Sequence, residues 1–206
     1  SDIETAISLG LDVVKFFPAE AAGGLAMIKA MSAPYVNMKF MPTGGISAKN
    51  LNEYLSFNKI IACGGSWMVK DDLIKAGEFD KIEALTREAV ELMLGFELAH
   101  VGINETDGEA ADHTAGRFES IFGFGKKTGS ASVFAGTAVE VMKAPGLGAK
   151  GHIGIRTNYI ERAVNYLENQ GVEFNPSSAK YDEKGNLKAI YLKEEVGGFA
   201  VHLVQK

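Results

Sequence analysis

The chain has 206 residues, enough for one large domain or two small ones, and its 46% hydrophobic and 23% charged residues are ordinary for a globular protein. A net charge of −5 without a long run of either sign argues against nucleic acid or a membrane surface as a partner. No apolar run reaches the roughly 18 residues of a spanning helix, and the polar, acidic start does not resemble a secretion signal. Cys63 is the only cysteine, which excludes an internal disulfide and favours a reducing, cytoplasmic compartment.

Residues 1 to about 95 alternate apolar strands, glycine-rich turns and helices. We predict strands in LDVVKFFPA, NMKFMPTGG and KIIACGGSWMV, and helices in GGLAMIKAMSAPY, SAKNLNEYLSFN and FDKIEALTREAVELMLGF. Ser47 is the expected N-cap of the second of these helices. This alternation is typical of βα units on a parallel sheet, in which functional sites lie at the carboxyl ends of the strands. The turns FPA, PTGG and CGGS would meet there.

The remaining residues, 96–206, contain an internal repeat. LAHVGIN returns as KGHIGIRTN, and AVEVMK returns as AVHLVQK. Each half contains a strand, a helix and then two or three strands, so we expect paired βαβββ modules over about 96–148 and 149–206. The predicted fold class is therefore α/β over 1–95, followed by an α+β domain over 96–206.

Lys15 interrupts an otherwise apolar stretch, which we interpret as a buried strand. Burying an unpaired ammonium is unfavourable, so the residue calls for an explanation. In an apolar pocket a lysine favours its neutral amine, the nucleophile that forms a Schiff base with a ketone. The alternative is structural: a lysine that extends to solvent from an edge strand, or that pairs with a carboxylate such as Glu20.

Glycine turns follow the next two predicted strands, at Pro42–Gly45 and Gly64–Ser66. Glycines let backbone N–H groups approach an anion closely, and helices that begin just after them would favour negative charge. Thr43 and Ser66 add hydroxyl groups. A single Gly-Gly turn is more often only a helix entry, but two such turns in successive βα units indicate a phosphate site.

The blocks VVKFFPAE, KFMPTGGI and IIACGGSWM resemble the sixth, seventh and eighth strands of 2-keto-3-deoxy-6-phosphogluconate (KDPG) aldolase and 4-hydroxy-2-oxoglutarate aldolase. The resemblance implies a class I aldolase on a (β/α)8 TIM barrel, usually trimeric, that cleaves a phosphorylated keto acid to pyruvate and an aldehyde without a cofactor. It implies that Lys15 is the Schiff-base lysine, that Phe17 lies against the substrate and that Thr43 lies near its pyruvate-derived part. It assigns phosphate binding to Gly44, Gly45, Gly65 and Ser66.

This resemblance ends near Gly95 and includes neither the family's general-base glutamate nor its substrate-binding arginine. Glu20 matches a different glutamate of the lysine motif. Three strands cannot close a barrel and would leave an apolar edge open. The chain is therefore expected to be part of a longer protein, to associate with a separate N-terminal aldolase half, or to be a truncated product.

The second half places three of the chain's four histidines on its repeated strands. His100 is equivalent to His152 in the repeat, and Glu140 is equivalent to His202. Imidazoles and a carboxylate suit a divalent transition metal. The pattern is similar to the vicinal oxygen chelate superfamily of glyoxalases and related proteins, whose metal ligands occupy these strand positions, although His202 stands where a glutamate is usual. A metal-free pair of modules with hydrogen-bonded histidines is the alternative, and His113 is expected on a helix surface.

Two readings of a different class from the aldolase stay open. One is a non-catalytic sensor of sugar-acid phosphates, in which the partial barrel serves binding or assembly. The other is a metal-dependent enzyme whose activity lies wholly in residues 96–206.

Overall fold

The computed structural model describes all 206 residues. The chain divides into two compact units, Ser1–Met93 and Leu94–Lys206. Both units mix helices and strands, as the sequence pattern predicts. None of the helices combines the length and hydrophobicity needed to cross a bilayer.

The first unit contains five helices and two strands. Its helices are α1 Asp2–Ser8, α2 Gly24–Ser32, α3 Leu51–Leu55, α4 Asp71–Lys75 and α5 Phe79–Leu94, the last of which runs to the unit boundary. Its strands are β1 Val13–Phe16 and β2 Lys39–Pro42. Ile28 of α2, Phe40 of β2 and Tyr54 of α3 are almost completely buried, so these three elements supply much of the core.

The sheet of the first unit is parallel but small. Residue pairs run from Val13 opposite Lys39 to Phe16 opposite Pro42. The third predicted strand is absent. Its residues form only two isolated parallel bridges to the β2 side, Phe40 with Ile60 and Thr43 with Gly64. Glycine is a weak strand former, and the Gly64–Gly65 pair interrupts the apolar run after Cys63.

The start of α3 also differs from the sequence prediction. Asn50, not Ser47, is the N-cap, and its side chain makes no capping bond to the helix. Instead, its carboxamide oxygen accepts a hydrogen bond from the Ser47 backbone N–H at 2.8 Å, and its amide nitrogen donates to the Gly45 carbonyl at 3.1 Å. The Asn50 side chain therefore stabilises the loop between Gly45 and α3 and does not cap the helix.

The second unit consists of two halves with the same order of elements. The first half contains β3 Glu97–Asn104, α6 Gly108–Phe122, β4 Lys126–Thr128, β5 Ser132–Ala135 and β6 Val139–Met142. The second contains β7 His152–Thr157, α7 Ile160–Glu168, a 3-10 turn Pro176–Ser178, β8 Lys180–Tyr181, β9 Leu187–Val196 and β10 Phe199–Gln205. Each half has the βαβββ order that the repeat predicts.

The eight strands of the two halves form one sheet in the order β4-β5-β6-β3-β7-β10-β9-β8. The first strands of the two halves, β3 and β7, pair antiparallel at the centre, and each pairs in parallel with the last strand of its own half. Outward from the central pair, each half therefore places its first strand, then its last, then its third and then its second. This is the symmetry expected of a duplicated module.

The two faces of this sheet have different environments. Val133, Ala135 and Val141 are completely buried and pack with Ala111 and Ala115 of α6. Side chains alternate along a strand, so the residues between them lie on the opposite face. That opposite face, which we call the open face, carries Ser132, Phe134 and Glu140.

Candidate functional site

Lys15 lies on β1 directly opposite Met41 of β2. Its ammonium lies 5.2 Å from the centroid of the Phe17 ring, and both side chains are exposed. The expectation that β1 is a buried strand is wrong for this chain. The physical reason is that β1 pairs with β2 alone, which leaves its other edge without a neighbour.

The turn after β2 lies against the segment after β1. The Thr43 N–H donates to the Phe16 carbonyl at 2.9 Å, and the Ala19 N–H donates to the Thr43 carbonyl at 2.8 Å. Gly44 and Gly45 have φ angles of 95° and 81°, which side-chain-bearing residues rarely adopt. A Cβ on Gly45 would also lie 2.5 Å from the Glu20 Cγ, so the close approach requires glycine here.

Thr43 and the second glycine turn are brought together. Thr43 and Gly64 form a parallel bridge, and a Cβ on Gly64 would lie 2.7 Å from the Thr43 hydroxyl oxygen. That hydroxyl is buried and has no hydrogen-bond partner within the chain. A buried hydroxyl without a partner is unfavourable, so this atom has an unused capacity for a hydrogen bond.

Gly65 and Ser66, which the sequence also predicts to bind phosphate, lie in a loop without a helix directly after it. Ser66 is exposed, and a Cβ on Gly65 would overlap the Trp67 ring. The expectation that helices begin just after the glycines is wrong, because α3 starts at Leu51 and α4 at Asp71. Any anion would therefore meet loop backbone groups rather than helix ends.

Glu20, the alternative ion-pair partner for Lys15, has a different contact. The buried Tyr54 hydroxyl donates a hydrogen bond to its carboxylate. Burial and the Glu20 charge together raise the pKa of Tyr54. This bond fastens α3 to the segment after β1, so Glu20 has a structural role beside the glycine turn.

The second candidate site is a set of four residues, His100, Glu140, His152 and His202, which we call the four-residue cluster. They come from β3, β6, β7 and β10, the first and last strands of each half. The Glu140 Oε2 lies 3.3 Å from His100 Nε2 and 3.2 Å from His152 Nε2. His202 Nε2 lies 3.2 Å from His100 Nε2. The structure thus brings together all four predicted residues.

Two glycines, which the sequence reasoning missed, make room for the histidine rings. Gly154 lies opposite His100 across the central strand pair, and Gly102 lies opposite His152. A Cβ on Gly154 would approach the His100 ring to 2.5 Å, and one on Gly102 would approach the His152 ring to 2.0 Å. The signal was present in the repeat, because a glycine follows each of these histidines by two residues.

Burial and hydrogen bonding set the charges of the cluster. Burial would raise the pKa of Glu140, but hydrogen bonds with His152 and Ser132 and the nearby imidazoles outweigh it and lower that pKa to about 2. Burial, followed by His100 and His152, lowers the pKa of His202 to about 4. Burial also lowers the pKa of His100. At neutral pH the carboxylate is therefore ionised, and these two imidazoles are neutral.

Three further side chains on the open face contact the cluster and were not predicted. The Ser132 hydroxyl donates to Glu140 Oε1 at 2.7 Å. Phe134 meets the His100 ring edge-on at 5.9 Å, and the Tyr191 ring stacks on His202 at 4.6 Å. Neither aromatic residue belongs to the repeated segments that identified the histidines. These contacts restrict the orientation of both imidazoles and of the carboxylate.

The cluster fits a divalent transition metal. Zinc–nitrogen bonds of about 2.0–2.1 Å at tetrahedral angles place neighbouring ligand atoms roughly 3.3 Å apart. Three of the six ligand-atom pairs, His100 with Glu140, His152 with Glu140 and His100 with His202, lie 3.2 to 3.3 Å apart and match this spacing. One donor of each histidine lies within 4.8 Å of the others. His113 lies on α6 and is exposed, outside the cluster, as predicted.

The chain is similar to known proteins over part of its length. Residues 1–85 match the family model described as KDPG and KHG aldolase. The 2-dehydro-3-deoxy-phosphogluconate aldolase of Haemophilus influenzae is 48% identical over 91 residues, which are 44% of this chain and 43% of that protein. The chain thus spans less than half the length of the curated relatives it matches.

Two solved structures are similar to parts of the chain. KDPG aldolase of Legionella pneumophila, captured with pyruvate as a covalent carbinolamine, is 38% identical over 44% of this chain and 43% of its own, with a TM-score of 0.40. Methylmalonyl-CoA epimerase of Streptomyces coelicolor is 16% identical over 53% of this chain and 94% of its own, with a TM-score of 0.39. Over residues 1–85, as the family model shows, the chain is similar to the KDPG and KHG aldolases.

Proposed function

We propose that the first unit supplies the Schiff-base lysine of a class I aldolase of the KDPG and KHG type. The substrate would be a 2-keto-3-deoxy sugar acid phosphate or 4-hydroxy-2-oxoglutarate, cleaved to pyruvate and an aldehyde. The observation that carries the proposal is the position of Lys15 on β1, next to the strand that ends at Thr43 and its glycine turn. The 48% identity to a named aldolase over this segment supports it.

In this chemistry Lys15 forms the covalent bond to the substrate. Its neutral amine attacks the keto carbon, and loss of water with uptake of one proton gives a protonated imine. The general base, which the further segment described below would supply, removes the proton of the substrate hydroxyl; the aldehyde then leaves as the C–C bond breaks, and the protonated imine accepts the electron pair of that bond. The resulting enamine takes up a proton, and hydrolysis releases pyruvate and regenerates the lysine. The exposed ring of Phe17 would pack against the substrate beside this carbon.

The turns would hold the two ends of the substrate. The buried hydroxyl of Thr43, which has no partner in the chain, would bond to the pyruvate-derived part. The phosphate would lie on the loop N–H groups of the two glycine turns, without the helix dipoles that the sequence predicts. The residues in this role are Gly44, Gly45, Gly65 and Ser66.

The proposal requires a further polypeptide segment. β1 has an unpaired edge, Lys15 is exposed, and more than half of each curated relative has no counterpart in this chain. A segment on this edge, from the same or a separate chain, would complete a TIM barrel, exclude water from Lys15 and supply the general base. A homo-oligomer, such as a trimer, belongs to the same proposal.

Borohydride reduction in the presence of pyruvate tests the role of Lys15. The chain is mixed with the complementary half of a curated aldolase, reduced, digested and mapped by mass spectrometry. We expect a stable adduct on Lys15 and none on Lys29, which also lies over an aromatic ring, at 5.8 Å from the Phe57 centroid. An adduct spread over both lysines, or on neither, would contradict the proposal.

The four-residue cluster favours a second candidate function, a metal-dependent activity of the second unit. Neutral imidazoles and an ionised carboxylate are the protonation states that a divalent metal requires. The metal would be held by His100, Glu140, His152 and His202, where it would supply Lewis-acid chemistry. Ser132 would orient the carboxylate through its hydrogen bond.

Metal analysis of the purified full chain tests this second function. We expect one equivalent of zinc or a related metal in the wild type and in His113→Ala, whose histidine is exposed. The double variant His100→Ala, His152→Ala should lose it. Equal, negligible metal in all three proteins would show that the histidines are structural.

A further inference from the structure

A cleft of about 430 Å³ lies on the open face, over strands β4 and β5. Its volume lies within the usual range for small-molecule sites, and its walls are mainly apolar. Lys127, Ser132 and Phe134 are among the residues that line it. Neither the aldolase chemistry nor the metal ligands use this cleft.

The sheet register connects the cleft to the four-residue cluster. Lys127 lies opposite Phe134, and Phe134 lies opposite Glu140, so these three side chains share the open face. Ser132 and Phe134 line the cleft and also contact the cluster, through Glu140 and His100. A molecule in the cleft would therefore contact Lys127 on one side and, on the other, Ser132 and Phe134, which themselves contact the cluster.

Lys127 is the charged residue in the lining, and its charge is available. It is exposed, and its ammonium forms no hydrogen bond or ion pair in the structure. Its neighbour Lys126 points to the other face, where its ammonium pairs with Asp112 of α6 at 2.8 Å. Lys143 donates instead to the Gly129 carbonyl at 2.6 Å. An anion that enters the cleft would thus meet an unpaired cation.

We propose that this cleft binds a small organic anion with an apolar body. The anionic group pairs with the Lys127 ammonium, the body packs on the Phe134 ring, and the far end faces the four-residue cluster. The proposal names the substrate class of the second candidate function. It rests on that function for what happens at the cluster, but not for the binding of the anion.

Benzoate and its neutral counterpart, benzyl alcohol, are suitable probes. Binding to the full chain is measured by calorimetry or by NMR titration, both after chelation of metal and after loading with zinc. A charge-assisted contact predicts that benzoate binds more tightly than benzyl alcohol. Lys127→Ala should weaken benzoate binding roughly tenfold to a hundredfold in both metal states, with no change for benzyl alcohol.

Two matched variants complete the test. Lys127→Arg should keep the affinity, because the cation remains. Lys126→Ala should also keep it, because that lysine serves the opposite face. Absence of benzoate binding at millimolar concentration, equal binding of the two probes, or equal losses in Lys126→Ala and Lys127→Ala would overturn the proposal.

Zinc titration of the same proteins separates this proposal from the metal site. Lys127→Ala should bind zinc as the wild type does, because the lysine does not belong to the cluster. If zinc fails to bind while benzoate depends on Lys127, the anion cleft stands and the metal function falls. If zinc binds and the affinity for benzoate is the same in the wild type and Lys127→Ala, the cleft proposal is wrong and the metal function stands.

Discussion

The two candidate sites differ in how much of each lies within this chain. Lys15 is exposed on a strand with one neighbour, and its site depends on surfaces that a two-stranded sheet does not provide. The four-residue cluster takes its members from both halves of an eight-stranded sheet, and His152 and His202 are only 4% and 7% exposed. The difference shows that a motif can indicate a candidate side chain, whereas the environment of that side chain depends on the elements around it.

The largest effect should come from replacing Lys15 in a completed first unit. With the complementary half of an aldolase such as that of Haemophilus influenzae present, Lys15→Met should lower kcat/KM for KDPG cleavage at least about a thousandfold, because the covalent step is lost. Lys29→Met should retain the rate. If the Lys15→Met protein cleaves KDPG at the wild-type rate, Lys15 is not the Schiff-base lysine, and the comparison between the two sites fails.

The next effect should come from the glycines of the second unit. Gly102→Ala places a methyl group within 2.0 Å of the His152 ring and forces that ring to move. We expect a loss of about 1–3 kcal/mol in the free energy of unfolding and a tenfold or greater loss of zinc affinity. Gly125→Ala is the control, because a Cβ there meets nothing within 4 Å. Calorimetry measures the zinc affinity and denaturant titration the stability.

Acid should destabilise the metal-free second unit in two stages. The pKa of His202 is about 4 in the folded chain against an ordinary 6.5, and that of Glu140 is about 2 against 4.5. In each interval the unfolded chain binds more protons, so stability is lost as the pH falls. The loss runs from about 6.5 to 4 for His202 and from about 4.5 to 2 for Glu140, on the order of 3 kcal/mol each.

Hydrogen exchange followed by mass spectrometry can measure this loss in each unit separately. Peptides from β3 and β10 should lose protection between pH 6.5 and 4, and the variant His202→Asn should lose less over the same range. Peptides from β1 and β2 provide an internal reference. Equal acid sensitivity in wild type and His202→Asn would show that this histidine does not control the stability of the sheet.

The repeat explains why the cluster was predictable and part of its surroundings was not. His100 and His152 occupy equivalent positions in two copies of one module, so the symmetry of the sheet brings them together. Phe134 and Tyr191 lie outside the repeated segments, and only the strand register shows that they reach the same face. The sequence did not indicate a role for Lys127 either. Lys126 and Lys127 are adjacent and identical in type, so the sequence alone does not show which of them faces the cleft.

For the first unit the motif was predictable and the burial was not. The strand at Lys15 and the turn at Thr43 follow from local residue types, and both are present. Burial of Lys15 depends on strands beyond β2, which local sequence does not specify. The third strand failed for a related reason, since Gly64 and Gly65 weaken strand formation and leave only isolated bridges.

The smallest effect tests whether the first unit is well ordered despite its open edge. Tyr54→Phe removes the hydroxyl that donates to Glu20, beside the glycine turn. Glu20 is exposed and can bind water instead, so we expect a loss of only about 1 kcal/mol in the free energy of unfolding. Tyr35→Phe, which removes an exposed contact with Ser1 at 3.1 Å, should change it by less. If denaturant titration gives equal values for both variants, the Tyr54 bond does not hold the turn, and the first unit is less ordered around Lys15 than its hydrogen bonds indicate.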